Sequence, residues 1–205
     1  MSVLVLAYLV GSVPFSQIVA RRSGPGDLRR VGNGTVSASG LRQVGVGPVV
    51  VAGMLDLAKG MIGPMLAGGR RNPSFATLAA AAAIAGHNWS PFLRMAGGRG
   101  ISPAMGALLV LAPEGAGVLL AGVALGRAVD DNAGVGAVVA DAALLPLLAR
   151  TRGRAGALVA AAVLTPMLVK RLLGNRPAAN ARTYLWRLLF DRDERYELDQ
   201  PRRAA

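Results

Sequence analysis

The chain has 205 residues, no cysteine, one histidine and a formal net charge of +12. Hydrophobic residues make up 53% of it, and its mean hydropathy is positive. The lack of cysteine excludes disulfides and thiolate chemistry, and a single histidine excludes a multi-histidine metal cage. Apolar stretches of up to about 20 residues can cross a bilayer as helices. The sequence therefore predicts an integral membrane protein, and we expect neither a metal nor a cofactor.

The basic residues lie mainly between the apolar stretches and in the C-terminal tail. In these places Lys and Arg orient a membrane protein and meet anionic lipid. A nucleic-acid-binding protein would instead carry a basic stripe interleaved with aromatic residues. The distribution predicts contact with membrane lipids and no nucleic acid.

The first predicted span runs from Val3 to about Ala20 and is interrupted by Pro14. Arg21 and Arg22 follow it directly, which reverses the charge order of a secretory signal. We therefore expect a retained helix with its N-terminus outside, followed by a cytoplasmic loop over residues 21–42.

The second predicted span, from about Val44 to Ala67, contains two charged residues. Asp56 and Lys59 are three residues apart, so they share one helix face. Charges at this depth need a partner or a polar cavity. Both a functional site and a purely structural ion pair fit this spacing.

The third predicted span runs from Phe75 to about Leu93 and has His87 near its end. A polar segment, Gly97-Gly98-Arg99-Gly100, then separates this span from the next apolar stretch. Successive glycines can direct backbone N–H groups at an anion, and an arginine adds a bidentate charge. The segment predicts a phosphate-binding loop, with a tight turn as the alternative; His87 is predicted to be either an interface residue or part of the site.

The apolar stretch from Ile101 to about Gly126 is divided by Pro113-Glu114. It is compatible with one tilted span or with two short helices that turn at the far surface. Two further spans are predicted, from about Ala133 to Ala149 and from about Ala155 to Val169.

The total is thus six or seven spans, according to how the divided stretch is counted. Seven spans place the basic tail inside and leave Arg150, Arg152 and Arg154 outside, whereas six spans reverse both assignments. The tail is the larger basic cluster, so it favours seven. The predicted fold is an all-α polytopic membrane bundle over residues 1–173, followed by a polar cytoplasmic tail over residues 174–205.

Five short motifs occur along the first half of the chain, and a weaker one, Lys170-Arg171-Leu172-Leu173, lies near its end. In this order they resemble the bacterial acyl-phosphate glycerol-3-phosphate acyltransferases. The five motifs are Tyr8-Leu9-Val10-Gly11-Ser12-Val13-Pro14-Phe15, Asp27-Leu28-Arg29-Arg30-Val31-Gly32, Asp56-Leu57-Ala58-Lys59-Gly60, Gly86-His87-Asn88 and Gly97-Gly98-Arg99-Gly100.

The resemblance implies a seven-helix enzyme of the bacterial inner membrane. Its substrates would be acyl phosphate and glycerol 3-phosphate, and its product lysophosphatidic acid. It also implies Asn33 and Thr165 as catalytic residues, and Asp56, Lys59 and His87 as supporting residues. The implied phosphate-binding residues are Gly34, Thr35, Arg42, Gly97, Gly98, Arg99 and Gly100.

The chain departs from the family pattern at four positions. Asn33 stands where the family has a serine, and Arg99 stands where it usually has a lysine. Thr165 and Leu168 stand where it has a histidine and an asparagine, and a leucine cannot bind phosphate. Asn33 is also compatible with a helix cap or a turn.

These departures leave other functions open. One is a catalytically impaired paralogue that binds lipid or supports a partner enzyme. Another is a transporter whose path is lined by acidic side chains, which would then face one shared cavity. An enzyme would gather its charged groups around Arg99 instead.

Overall fold

The computed structural model describes residues 2–24, 26–30, 34–130 and 133–191. Regular structure in these ranges is entirely helical, which confirms the predicted all-α class. The α-helices are α1 (Ser2–Ser12), α2 (Phe15–Ser23), α3 (Val46–Leu66), α4 (Pro73–Asn88), α5 (Ile101–Leu111), α6 (Pro113–Asp130), α7 (Ala133–Leu173) and α8 (Ala181–Phe190).

Helix α7 consists of two antiparallel arms rather than one long rod. Gly153 has φ 61° and ψ −147°, a combination that interrupts the helix and that favours glycine. A Cβ at Gly156 would lie 2.1 Å from the carbonyl oxygen of Leu148, so the chain reverses between them. The two arms, residues 133–152 and 154–173, correspond to the last two predicted spans.

The divided stretch also forms two helices. Ala112 leaves the helical region between α5 and α6, and Pro113 starts α6 at a position where its missing N–H is not needed. Arg152, at the end of the first arm of α7, donates to the carbonyl oxygen of Leu111 at 2.9 Å. At the other end of α6, Arg127 contacts Ser39. Thus α5 and α6 run in opposite directions.

Seven helical segments in the described part of the chain therefore alternate in direction: α1, α3, α4, α5, α6 and the two arms of α7. One end of the bundle, here called the loop end, carries the segment Gly97–Gly100 and the end of α7. At this end the Tyr8 hydroxyl donates to the Trp89 carbonyl at 2.6 Å, which joins α1 to α4. The opposite end, the far end, carries Ala112 and Gly153.

Among the described residues, three helical stretches are long and apolar enough to cross a membrane: Ser2–Ser23, Val46–Arg71 and Gly134–Leu173, the last of which contains the reversal. Helix α4 has 16 residues and α5 has 11. At 1.5 Å per residue these span about 24 Å and about 16 Å, less than a hydrocarbon core of about 30 Å. The number of membrane crossings thus stays a prediction.

Small residues bring the helices together. Four alanines of α4 are fully buried, and a Cβ at Gly11 of α1 would lie only 2.1 Å from the Ala83 carbonyl oxygen. Such contacts let helix backbones approach closely, as membrane bundles require. Large apolar side chains such as Met54, Leu120 and Leu158 are exposed on the outside of the bundle. Charged side chains such as Asp56 and Arg171 are instead buried within it. This distribution suits lipid as the solvent.

Helix α8 packs on the loop end of α7. The Asn180 side chain caps its start by accepting from the Thr183 N–H. Arg187, only 1% exposed, donates to the carbonyls of Leu172, Leu173 and Arg176. These bonds satisfy acceptors that the last turn of α7 leaves open. Part of the predicted tail is therefore a docked helix, while residues 192–205 lie outside the described ranges.

Candidate functional site

A buried charge cluster lies at the loop end, between α2, α3 and α4. The Asp56 carboxylate accepts a hydrogen bond from Ser16 Oγ at 2.7 Å and pairs with Lys59 Nζ at 2.8 Å. His87 Nδ1 lies 3.8 Å from the same carboxylate. The ion pair predicted from the three-residue spacing is present, and both of its side chains are 2% exposed.

Lys59 also has a structural task. Its Nζ donates to the Val13 carbonyl at 2.6 Å. That carbonyl lies just before Pro14, where the helix breaks between α1 and α2. Buried carbonyls need a partner, so Lys59 holds the break in place.

The same Asp56, Lys59 and His87 line a small cleft, here called the loop-end cleft, together with Ser16 and Gly98. The two predicted interpretations of the Asp56–Lys59 pair are therefore compatible. The pair is a structural contact, and it also faces a cleft.

The glycine loop packs tightly against the end of α4. A Cβ at Gly98 would lie 2.0 Å from His87 Nε2, and one at Gly97 would lie 2.1 Å from the His87 carbonyl oxygen. Glycine is required at both positions for this close approach. Gly100, with φ 83°, turns the chain into α5.

The predicted cradle of backbone N–H groups needs a correction. The Gly98 N–H donates to the His87 carbonyl at 3.2 Å, and the Gly97 N–H donates to Asn175 Oδ1 at 3.3 Å. Both N–H groups have acceptors inside the protein, because the loop packs against α4 and the segment that follows α7. These two glycines serve as a tight turn, and Arg99 carries the charge of the loop.

Asn175 connects the glycine loop to the segment after residue 33. Its Nδ2 donates to the carbonyls of Gly34 at 2.9 Å and Gly97 at 2.8 Å. The Val36 N–H also donates to the Gly97 carbonyl, at 3.1 Å. Sequence analysis missed Asn175, although it lies two residues after the motif Lys170-Arg171-Leu172-Leu173 and a polar amide there was a usable signal.

Arg99 is buried, 7% exposed, and forms an ion pair with Asp191 at the end of α8. Asp191 Oδ1 lies 3.3 Å from Arg171 Nε, and Arg171 Nη2 lies 2.8 Å from Asp141 Oδ2. Lys170 Nζ donates to the Met95 carbonyl at 3.4 Å. Two cationic side chains, Arg99 and Arg171, thus meet at the Asp191 carboxylate at the loop end.

Residues 26–30 are held by the Gln17 side chain of α2 and by a local ion pair. Gln17 accepts from the Leu28 N–H at 3.0 Å and donates to the Gly26 carbonyl at 2.6 Å. Hydrogen bonds from Arg29 lower the pKa of Asp27 to about 2. Gly34 follows with φ 76°, which favours glycine.

Three further predicted site residues, Asn33, Thr35 and Arg42, belong to the segment between α2 and α3. Asn33 lies outside the described residues. Thr35 is half-buried, and Arg42 is exposed on the 3-10 helix Ala38–Val44.

Thr165 does not join the site. It is exposed, and its hydroxyl donates to the carbonyl of Ala161 in its own helix at 2.7 Å. The buried face of this arm presents Val163, Met167 and Lys170. Two residues along a helix correspond to about 200° of rotation, so Thr165 points away from the face that contains Val163.

The acidic residues do not share one cavity in the described part of the chain. Asp56 pairs with Lys59, Asp141 pairs with Arg171, and Glu114 forms an ion pair with Arg152 at the far end. Over the same ranges, no group of three or more His, Cys, Asp or Glu side chains could hold a metal ion. The separate pairs speak against a path lined by acids.

Comparisons with known proteins agree with the motifs. A family model described as glycerol-3-phosphate acyltransferase matches residues 1–177. A glycerol-3-phosphate acyltransferase of Jannaschia sp. is 39% identical over 171 residues, 83% of this chain and 84% of the relative. Glycerol-3-phosphate acyltransferase 2 of Moorella thermoacetica is 44% identical over 111 residues, 54% of this chain and 57% of the relative.

The fold also matches a solved structure. The crystal structure of PlsY (YgiH), an integral membrane glycerol 3-phosphate acyltransferase in its glycerol 3-phosphate form, superposes with a TM-score of 0.76. The identity is 24%, and the match covers 97% of this chain and 98% of that chain. The family model, the relatives and the fold lead to one conclusion: this chain belongs to the glycerol-3-phosphate acyltransferase family.

Proposed function

We propose that this protein transfers an acyl group from acyl phosphate to the 1-hydroxyl of glycerol 3-phosphate and releases lysophosphatidic acid. Family membership supports the reaction. The observation that carries the proposal is that the glycine loop, with the buried Arg99, lies at the same end of the bundle as the cleft lined by Lys59 and His87.

The reaction asks little covalent chemistry of the protein. The glycerol oxygen forms an ester bond with the acyl carbon, and the bond from that carbon to the phosphate oxygen breaks. The hydroxyl proton ends on the departing inorganic phosphate. An acyl phosphate is a mixed anhydride with a good leaving group. The protein therefore has to neutralise two phosphates and align the acceptor hydroxyl.

The chain offers cations for this task. Arg99 binds a substrate phosphate as a bidentate fork in this proposal, and Arg42 contributes further positive charge next to the segment Gly34–Thr35. The Asn33 amide donates a hydrogen bond to phosphate but cannot act as a hydroxyl nucleophile. Lys59, Asp56 and His87 hold the walls of the cleft. The reaction requires no metal and no cofactor.

We further propose that the protein lies in the bacterial inner membrane and crosses it several times, with the loop end cytoplasmic. Arg21, Arg22 and the basic tail then lie inside, as the positive-inside rule favours. An apolar groove lined by Val13, Ile18 and Phe92 opens beside the loop-end cleft, since the two share Pro14 and Leu93. This groove provides a route from lipid for an acyl chain.

The test is incorporation of labelled glycerol 3-phosphate into lysophosphatidic acid by the purified full-length protein in detergent, supplied with a long-chain acyl phosphate. Turnover by the wild type supports the proposal. An Asn33→Ser variant, which restores the family residue, is measured beside it. If both proteins are folded and silent, the acyltransferase proposal fails, and a lipid-binding or partner-supporting role replaces it.

A further inference from the structure

Two arginines from different parts of the chain meet at one carboxylate at the loop end. Arg99 follows the glycines before α5, and Arg171 lies near the end of α7; both are less than 10% exposed. The carboxylate belongs to Asp191, which ends α8 with its N–H donating to the Arg187 carbonyl at 3.2 Å. A carboxylate between two guanidinium groups occupies a place that suits an anion with several oxygens.

One N–H donor of Arg171 has no hydrogen-bond acceptor in this contact. Arg171 Nε lies 3.3 Å from Asp191 Oδ1, within ion-pair distance, but it makes no hydrogen bond. The neighbouring Nη2 of the same guanidinium lies 2.8 Å from Asp141 Oδ2, which fixes the group next to Asp191. A buried guanidinium donor without a hydrogen bond is costly. A tetrahedral anion, with oxygens in more directions than a carboxylate, can satisfy it.

Asp191 stands at the end of a short helix that packs on the outside of the bundle. Helix α8 has 10 residues and exposes Leu185, Leu189 and Phe190. Its described polar anchor to α7 is Arg187, and Asp191 adds the contact with the two arginines. A peripheral helix of this length is only marginally stable without its packing contacts.

We propose that Arg99 and Arg171 form one anion-binding subsite for a phosphate group, and that Asp191 occupies this subsite until phosphate displaces it. Arg171 is thereby a second phosphate-binding residue beside Arg99, and α8 acts as an internal competitor. The physiological ligand, a phosphate group of the substrates or product, rests on the proposed function. Binding of inorganic phosphate itself does not.

The experiment measures binding of inorganic phosphate to the full-length protein in detergent by titration calorimetry. Asp191→Asn removes the competing charge and keeps the size of the side chain, so it binds phosphate about tenfold more tightly than the wild type. The matched control, Glu114→Gln, makes the same change in net charge at the far end and leaves the affinity unchanged. Circular dichroism and size-exclusion profiles check that each variant is folded.

A second variant tests Arg171 itself. Arg171→Gln would leave Asp141 buried without its partner, so it is combined with Asp141→Asn, which removes both charges together. Added to Asp191→Asn, this pair abolishes the gain in phosphate affinity. Equal or weaker phosphate binding by Asp191→Asn, or an undiminished gain in the combined variant, overturns the inference.

The two proposals can fail separately. Tighter phosphate binding by Asp191→Asn without any acyl transfer supports the subsite and rejects the reaction. Acyl transfer by the wild type without the gain in phosphate affinity supports the reaction and rejects the role of Asp191. In an active protein, Asp191→Asn also lowers KM for glycerol 3-phosphate several-fold and changes kcat little.

Discussion

The two ends of the bundle carry similar residue types in different surroundings. At the far end, Arg152 and Glu114 form an ion pair whose side chains are 36% and 32% exposed. At the loop end, the Asp56–Lys59 pair is 2% exposed on both sides. Exposed pairs contribute little because water screens them, whereas a buried pair is costly to break. The same type of ion pair thus lies exposed beside a turn at the far end and lines a cleft at the loop end.

The largest predicted effect concerns this contrast in burial. Asp56→Ala leaves the Lys59 charge buried without its carboxylate, and it should lower the free energy of unfolding by about 3–5 kcal/mol. Glu114→Ala should lower it by less than about 1 kcal/mol. Denaturant unfolding in detergent micelles, followed by circular dichroism, measures both values. Similar losses for the two variants would remove the distinction between the ends.

The second prediction concerns the close approach of the glycine loop. Gly98→Ala would place a Cβ 2.0 Å from His87 Nε2, so it should cost about 1–3 kcal/mol and distort the cleft. Gly117→Ala, on the open surface of α6, is the matched control. A helical alanine is favoured over glycine by up to about 1 kcal/mol, so this control should stabilise the protein. Thermal unfolding in detergent separates the two, and a neutral Gly98→Ala contradicts the packing described for the loop.

The smallest predicted effect concerns Asn175, which bonds to Gly34 and Gly97. Asn175→Ala should cost about 1–2 kcal/mol of stability. It should also raise KM for glycerol 3-phosphate a few-fold with little change in kcat, because it loosens the two loops against each other. Asn72→Ala, an exposed asparagine at the start of α4, is the control. An unchanged KM would limit Asn175 to a structural role.

The sequence predicts the helical segments well, because their signals are local. The apolar stretches, the break at Pro113 and the reversal between Arg150 and Arg154 are all visible as patterns along the chain. The three-residue spacing of Asp56 and Lys59 also predicts their contact. These features depend on neighbours within one or two turns of helix.

The parts that sequence analysis missed depend on contacts between distant elements. Ser16 meets Asp56 through the packing of α2 on α3, and Asn175 reaches Gly34 from the end of α7. The family resemblance implied Thr165 at the site through alignment of the Lys170-Arg171-Leu172-Leu173 motif. The rotation of the helix about its axis, which motif alignment does not describe, places it on the exposed face instead.

The central claim is that the loop end binds substrate phosphate through Arg99. It is tested most directly by comparing Arg99→Ala with Arg152→Ala in the transfer of acyl phosphate to labelled glycerol 3-phosphate, with both variants folded in detergent. Our account predicts that Arg99→Ala abolishes formation of lysophosphatidic acid, while Arg152→Ala retains the wild-type rate. Wild-type transfer by Arg99→Ala would contradict it.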